Sequence, residues 1–231
     1  MKVRLDQELV KSNILAITKQ IGRPGIQELM RFLSKEDYFD APSSTMFHGN
    51  YPGGLAEHSW NVTDLLFKKQ ELFAMCYDYD TLAICGLFHD LCKINFYKLI
   101  ADDPTPPQIK YLRSLCNNKL PVVAGKLHKG YVSKLIDHLV NKTEEPPVYT
   151  IGEYKVDDQF PIGHGEKSVI LLQKYIHLEP EEIMAIRFHM GAWDISEYAK
   201  KAYNKAVELS PLVTMLMTSD VEASNLLEIT I

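Results

Sequence analysis

The stretch TLAICGLFHDLCK, residues 81–93, constrains this chain more than any other. An apolar helical run ends abruptly in His89-Asp90, and Lys93 follows one helical turn after Asp90. Successive helical residues point about 100° apart, so His89 and Asp90 do not share a helix face. Both still reach a metal ion seated off the helix beside them. An imidazole nitrogen with a hard carboxylate oxygen suits Mn, Fe, Zn, Co or Ni, and suits Ca less well. Most His-Asp pairs are a surface residue beside a cap or an ion-pair partner, so the pair needs support from the rest of the chain.

The 231 residues suffice for one large domain or two small ones, and 46% hydrophobic with 24% charged residues is an ordinary globular balance. A formal net charge of −5 argues against extended tracking along DNA or RNA, while leaving room for a small basic patch at a site. Cys76, Cys85, Cys92 and Cys116 form no CxxC, and no secretory signal opens the chain. No apolar stretch approaches the roughly 20 residues of a membrane span. The expectation is a cytoplasmic protein with free thiols and no membrane partner.

Helical periodicity dominates. Val10, Ile14, Ile17 and Ile21 form one stripe, stopped by Gly22 and Pro24; Ile26, Leu29, Met30 and Leu33 form a second. Residues 34–54 read as an irregular loop whose His48 is placed to rim a pocket. Gly53-Gly54 opens a helix with His58 in its first turn and Leu55, Val62, Leu65 and Leu66 on its apolar face. Asp80 is the expected N-cap of the helix that carries His89-Asp90. Residues 111–120 and 130–140 predict short helices, and His128 and His138 there lack a partner motif. After Pro146-Pro147, VYTIGEYKVDDQF reads as a small β-hairpin about Gly152, within an insertion at about 95–160. His164, framed by Gly163 and Gly165, opens another helix. Pro180-Glu181-Glu182 starts the next, which ends near His189. An amphipathic helix over 196–209 precedes a last one from Ser210-Pro211, whose apolar sequence contains Asp220. The expected architecture is a mainly α, helical-bundle single domain over 1–231: a helical extension and loop at 1–52, then a core at 53–231.

His58, His89-Asp90, His164, His189 and Asp220 each lie at a helix start, a helix end or a polar interruption of an apolar helix. The order H…HD…H…H…D resembles the HD superfamily of metal-dependent phosphohydrolases over residues 53–224. GGLAEHS, FHDLCK, the glycine-flanked His164 and SDVEAS are most similar to the HD-type domains of bacterial 3′→5′ exoribonucleases. Those enzymes carry an additional OB-type nucleic-acid-binding domain, for which no room exists before Gly53. Cys92 stands where the family commonly has glycine in HDxGK.

The resemblance implies an HD-domain bundle in which His58, His89, Asp90 and Asp220 hold one metal. Asp90 would bridge to a second, held further by His164 and His189. The cofactor would be one or two divalent transition metals per chain (Mn, Fe, Co, Ni or Zn) or Mg. Two such ions ~3.5–4 Å apart share and acidify a water and stabilise a phosphoryl transition state. Asp90 and Lys93 would be the catalytic residues, with the Lys93 ammonium neutralising a phosphate oxygen. Glu57 and Glu166 neighbour proposed ligands, where each would orient an imidazole or serve its helix end. Arg187 would pair with phosphate or face solvent. The implied reaction is hydrolysis of a phosphate mono- or diester of a nucleotide or short oligonucleotide by a metal-activated water. Its rivals are a di-iron oxygenase built on the same ligand set and a non-catalytic nucleotide-binding regulatory module. Oligomeric state is not written in the motifs.

Overall fold

Helix α1 (Gln7–Thr18) starts where the Asp6 carboxylate accepts from Leu9 N, and it buries Val10, Ile14 and Thr18. Helix α2 (Ile26–Leu33) buries Ile26, Leu29 and Leu33. The long helix α3 (Gly54–Leu72) follows Gly53, whose φ of +83° is the left-handed conformation that a residue without Cβ adopts without strain. Helix α4 (Tyr79–Phe88) has every residue from Thr81 to Phe88 buried and is the centre of the core. A 3-10 turn (Leu91–Lys93) and strand β1 (Tyr97–Ile100) come next. Then come α5 (Pro106–Leu115), α6 (Lys129–Asn141), β2 (Glu153–Val156), α7 (His164–Leu172), α8 (Pro180–Arg187), α9 (Glu197–Leu209) and α10 (Pro211–Glu222). A π-helical turn (Ala223–Leu227) follows α10. This computed structural model describes residues 4–123, 125–144, 146–191 and 197–229. The protein is thus mainly α-helical with a two-stranded sheet. Among the described residues, no helix is long and apolar enough to cross a membrane.

The chain forms two compact units. One comprises the segments up to Tyr97 and from Asp157 onward; the other is Lys98–Val156. In the first, α4 packs on α3 and α8, α10 packs on the same two helices, and α7 packs on α8. In the second, α5 lies on α6 around Leu112, Tyr131, Val132 and Leu135.

Gly86 lets α4 approach α3 closely. A Cβ added there would lie 2.5 Å from Thr63 Oγ1 and 2.7 Å from Thr63 Cα, inside any real contact. Gly86→Ala forces the two helices apart and is expected to cost about 1–3 kcal/mol of overpacking. For a chain of this size that lowers the melting midpoint by several degrees, at about 2–4 °C per kcal/mol. Thermal unfolding followed by circular dichroism checks it; an unchanged midpoint would show that the crossing relaxes without cost.

Three sequence expectations need correction. Asp80 is not the cap of α4. Asp78 is, accepting from Thr81 N at 2.8 Å, while Asp80 accepts from Gly22 N at 3.0 Å. The hairpin about Gly152 does not form: only Glu153–Val156 is strand, and its partner is the distant Tyr97–Ile100. The first short helix of the insertion starts earlier than 111, because Thr105 and Gln108 build a capping box before Pro106. The expected start at Ser196 lies outside the described residues.

Candidate metal centre

The end of α4 is what lets neighbouring His89 and Asp90 serve one site. His89 still has helical dihedrals, but Asp90 departs to φ −102°, ψ 23° and the chain enters the 3-10 turn. This bend brings His89 Nε2 within 3.7 Å of Asp90 Oδ2. His58 is the fifth residue of α3, and its Nε2 lies 3.1 Å from His89 Nε2 and 3.6 Å from Asp90 Oδ2. Asp220, in the last turn of α10, places Oδ1 3.2 Å from His58 Nε2. His189, just beyond α8, places Nε2 3.3 Å from Asp90 Oδ1. Five of the six proposed ligands therefore meet: His58, His89 and Asp220 have ligand atoms mutually within 4.8 Å, as do His89, Asp90 and His189.

The hydrogen bonds on the far side of each ring explain which nitrogens point inward. His89 Nδ1 lies 2.9 Å from Gly86 O, and His189 Nδ1 lies 2.7 Å from Ile186 O. His58 Nδ1 lies 3.0 Å from Glu228 Oε1. A carbonyl and an ionised carboxylate only accept, so all three Nδ1 atoms must donate. Whenever such a ring is neutral, its Nε2 lone pair faces the same point. His58 Nε2 and His89 Nε2 lie 3.1 Å apart, so a proton or a metal cation lies between them. His189 Nε2 is buried and makes no hydrogen bond, although it faces Asp90. A buried polar atom without a partner calls for an explanation, and a cation supplies one.

Charge leads to the same conclusion. Burial alone would lower His58, but Glu228 and Asp220 outweigh it and raise its pKa to about 10. Burial likewise works against a charged His189, and Asp90 raises it. His89, buried beside the other imidazoles, falls to about 4. Asp90 and Asp220 overcome the upward push of burial and sit well below the usual carboxylate range, Asp90 through Lys93 and His89, Asp220 through His58. Lys93 Nζ contacts Asp90 Oδ2 at 2.6 Å, and despite burial this carboxylate raises the lysine. Asp90, Asp220 and Glu228 thus face Lys93 and a His58 whose proton affinity their charge raises. Three imidazole nitrogens and two carboxylates form a donor set suited to a first-row divalent metal, and the residues present fit one.

His164 joins none of these groups among the described residues. It stands beside Cys92, Nδ1 to Sγ 3.4 Å, and edge-on to Phe96. Burial, followed by Asp90, raises the Cys92 thiol to about 12, so it is protonated at neutral pH. Of the two alternatives that the sequence left for Glu57 and Glu166, the described contacts of both go to the protein's own scaffold. Glu57 anchors the start of the chain, accepting from Leu5 N at 3.1 Å and Gln7 Nε2 at 3.0 Å. Glu166 pairs with Arg187, so this arginine is engaged on the protein itself. The residue that sequence reasoning missed is Glu228, 1% exposed, which also accepts from Asn61 Nδ2 at 3.2 Å. Its readable signal was a lone acid in the apolar run NLLEITI. His48 does lie at the edge of the centre, its ring centroid 5.3 Å from that of His58 and its Nε2 3.2 Å from Ser224 Oγ. Burial lowers the His48 pKa to about 4. No family model, no curated protein and no solved structure matches the chain.

Proposed function

We propose that this protein is a metal-dependent phosphohydrolase of the HD type, acting on the phosphate ester of a nucleotide or short oligonucleotide. The observation that carries the reading is the convergence of His58, His89, Asp90, His189 and Asp220, with Lys93 against Asp90. These five residues would hold the cation. A bound divalent cation supplies Lewis acidity toward water and phosphoryl oxygen. The three imidazoles are fixed by their Nδ1 partners, so no rotation is needed to present Nε2. Lys93 uses one donor on Asp90, keeps two more, and has 13% of its side chain exposed. It is therefore placed to take a phosphate oxygen and balance charge that grows there. His48, neutral at pH 7, can donate or accept a hydrogen bond at the edge of the site. The motif order in the sequence supports the same reaction class.

The test is elemental analysis of protein purified without chelator, beside a phosphate-release screen on nucleotides and short oligonucleotides with added Mn²⁺. About one or two metal ions per chain together with phosphate release is the expected result. Iron with oxygen consumption and no hydrolysis would overturn it in favour of a di-iron oxygenase. Neither metal nor turnover would leave a nucleotide-binding module.

A further inference from the structure

Glu228 is a buried carboxylate outside the five converging ligands, its oxygen within 4.8 Å of ligand atoms of His48 and His58. It follows the π-helical turn Ala223–Leu227, and its own N–H closes that turn by donating to Ala223 O at 3.1 Å. The next residue is tied down too, because Gly49 N donates to Ile229 O at 2.9 Å. Ser224 Oγ lies 3.4 Å from Asp220 Oδ1 and 3.2 Å from His48 Nε2. The carboxylate is thus delivered to one place, between His58 Nδ1 and Asn61 Nδ2, both of which reach its Oε1.

To act as a ligand the His58 ring must carry one proton only, and the surroundings of its Nε2 favour keeping that proton there. Asp220 Oδ1 lies 3.2 Å from Nε2 and would readily accept an Nε2–H. A ring in that state donates to Asp220 and has no lone pair left for a metal. An acceptor on the opposite side of the ring opposes this, and among the described residues Glu228 is the one at Nδ1.

We infer that Glu228 is a positioning residue that holds the proton on His58 Nδ1, keeps Nε2 available as a ligand, and so sets the cation affinity of the centre. The inference rests on the metal-site reading proposed above and adds to it the residue that governs loading.

Zinc ion serves as the probe, because it is diamagnetic and takes imidazole readily. Zinc affinity is measured by chelator competition for the wild type, Glu228→Leu and Glu228→Gln, and the His58 ring nitrogens are read by long-range ¹H–¹⁵N spectra of the zinc-loaded proteins. Glu228→Leu is expected to bind zinc about 10–100-fold more weakly. Glu228→Gln keeps an amide oxygen at the Oε1 position, where it still accepts from His58 and Asn61. It is expected to recover most of the affinity and to show His58 protonated at Nδ1. Equal zinc affinity in the wild type and Glu228→Leu would overturn the inference and leave the metal site standing. A wild type that takes no zinc or other divalent metal would overturn the metal site itself. If Glu228→Leu does not fold, the zinc-loaded wild type decides alone: a His58 without a proton on Nδ1 refutes the role.

Discussion

On the proposed function, Asp90→Asn is expected to empty the centre of divalent cation and to lower phosphate release by on the order of 10³-fold, while the helices remain folded. The expected size exceeds that of losing a single oxyanion donor, about 10²–10³ in turnover, because one carboxylate serves several partners here. Its Oδ2 faces His58, His89 and Lys93, and its Oδ1 faces His189. Asparagine keeps the shape but not the charge. It also presents an NH₂ group to one side, where it competes with a cation for the imidazole lone pairs. Lys93 loses its ion pair, so a modest destabilisation of about 1–3 kcal/mol accompanies the change. Metal content by elemental analysis, phosphate release and circular dichroism on one preparation check the three parts together. Wild-type metal content in a folded Asp90→Asn protein would sink the assignment of the ligands.

Glu182→Ala, remote from the centre, is expected to be strongly destabilising. Glu182 is 0% exposed and holds Arg23 through two hydrogen bonds of 2.9 and 2.8 Å. It also accepts from Thr81 Oγ1 at 2.8 Å and from Glu179 N at 2.8 Å. One carboxylate therefore joins the turn before α2 to the first turns of α4 and α8. Removing the carboxylate leaves Arg23, whose side chain is 14% exposed, with His177 O, and costs about 3 kcal/mol, the low end for a buried pair. At about 2–4 °C per kcal/mol this lowers the melting midpoint by on the order of 10 °C. The doubly apolar Arg23→Met/Glu182→Leu protein recovers most of the loss, because a buried ion pair offers little over well-packed hydrocarbon. A single variant that melts with the wild type would show that the clamp contributes nothing.

The helices were legible because burial imposes a period. The α1 stripe and the unbroken apolar run of α4 follow directly from which faces meet the core. His58, His89, Asp90, His189 and Asp220 were visible as polar residues at helix ends or inside apolar helices, where burial demands a partner. His164 carries the same sequence signal, glycine on both sides and a helix following, and stands beside Cys92, whose Sγ is 3.9 Å from Asp90 Oδ1. The strand pairing was illegible for a different reason. Alternation in EYKV shows β-propensity only, and its partner YKLI lies more than fifty residues earlier, next to a helical motif. Glu228 escaped because it has no motif; its role arises from the turn that returns it to α3.

The place where the chain leaves and re-enters the helical unit has a consequence for how such a protein changes over time. β1 and β2 pair as the outgoing and returning strands, and Asp157 N donates to Phe96 O at 2.8 Å. The two ends of the excursion are thus neighbours, and closing a loop costs only about 0.6 kcal/mol more for each doubling of its length. Residues 98–156 have their own small core, separate from the one that carries the ligands. A change in the length of the excursion is therefore expected to cost little closure entropy.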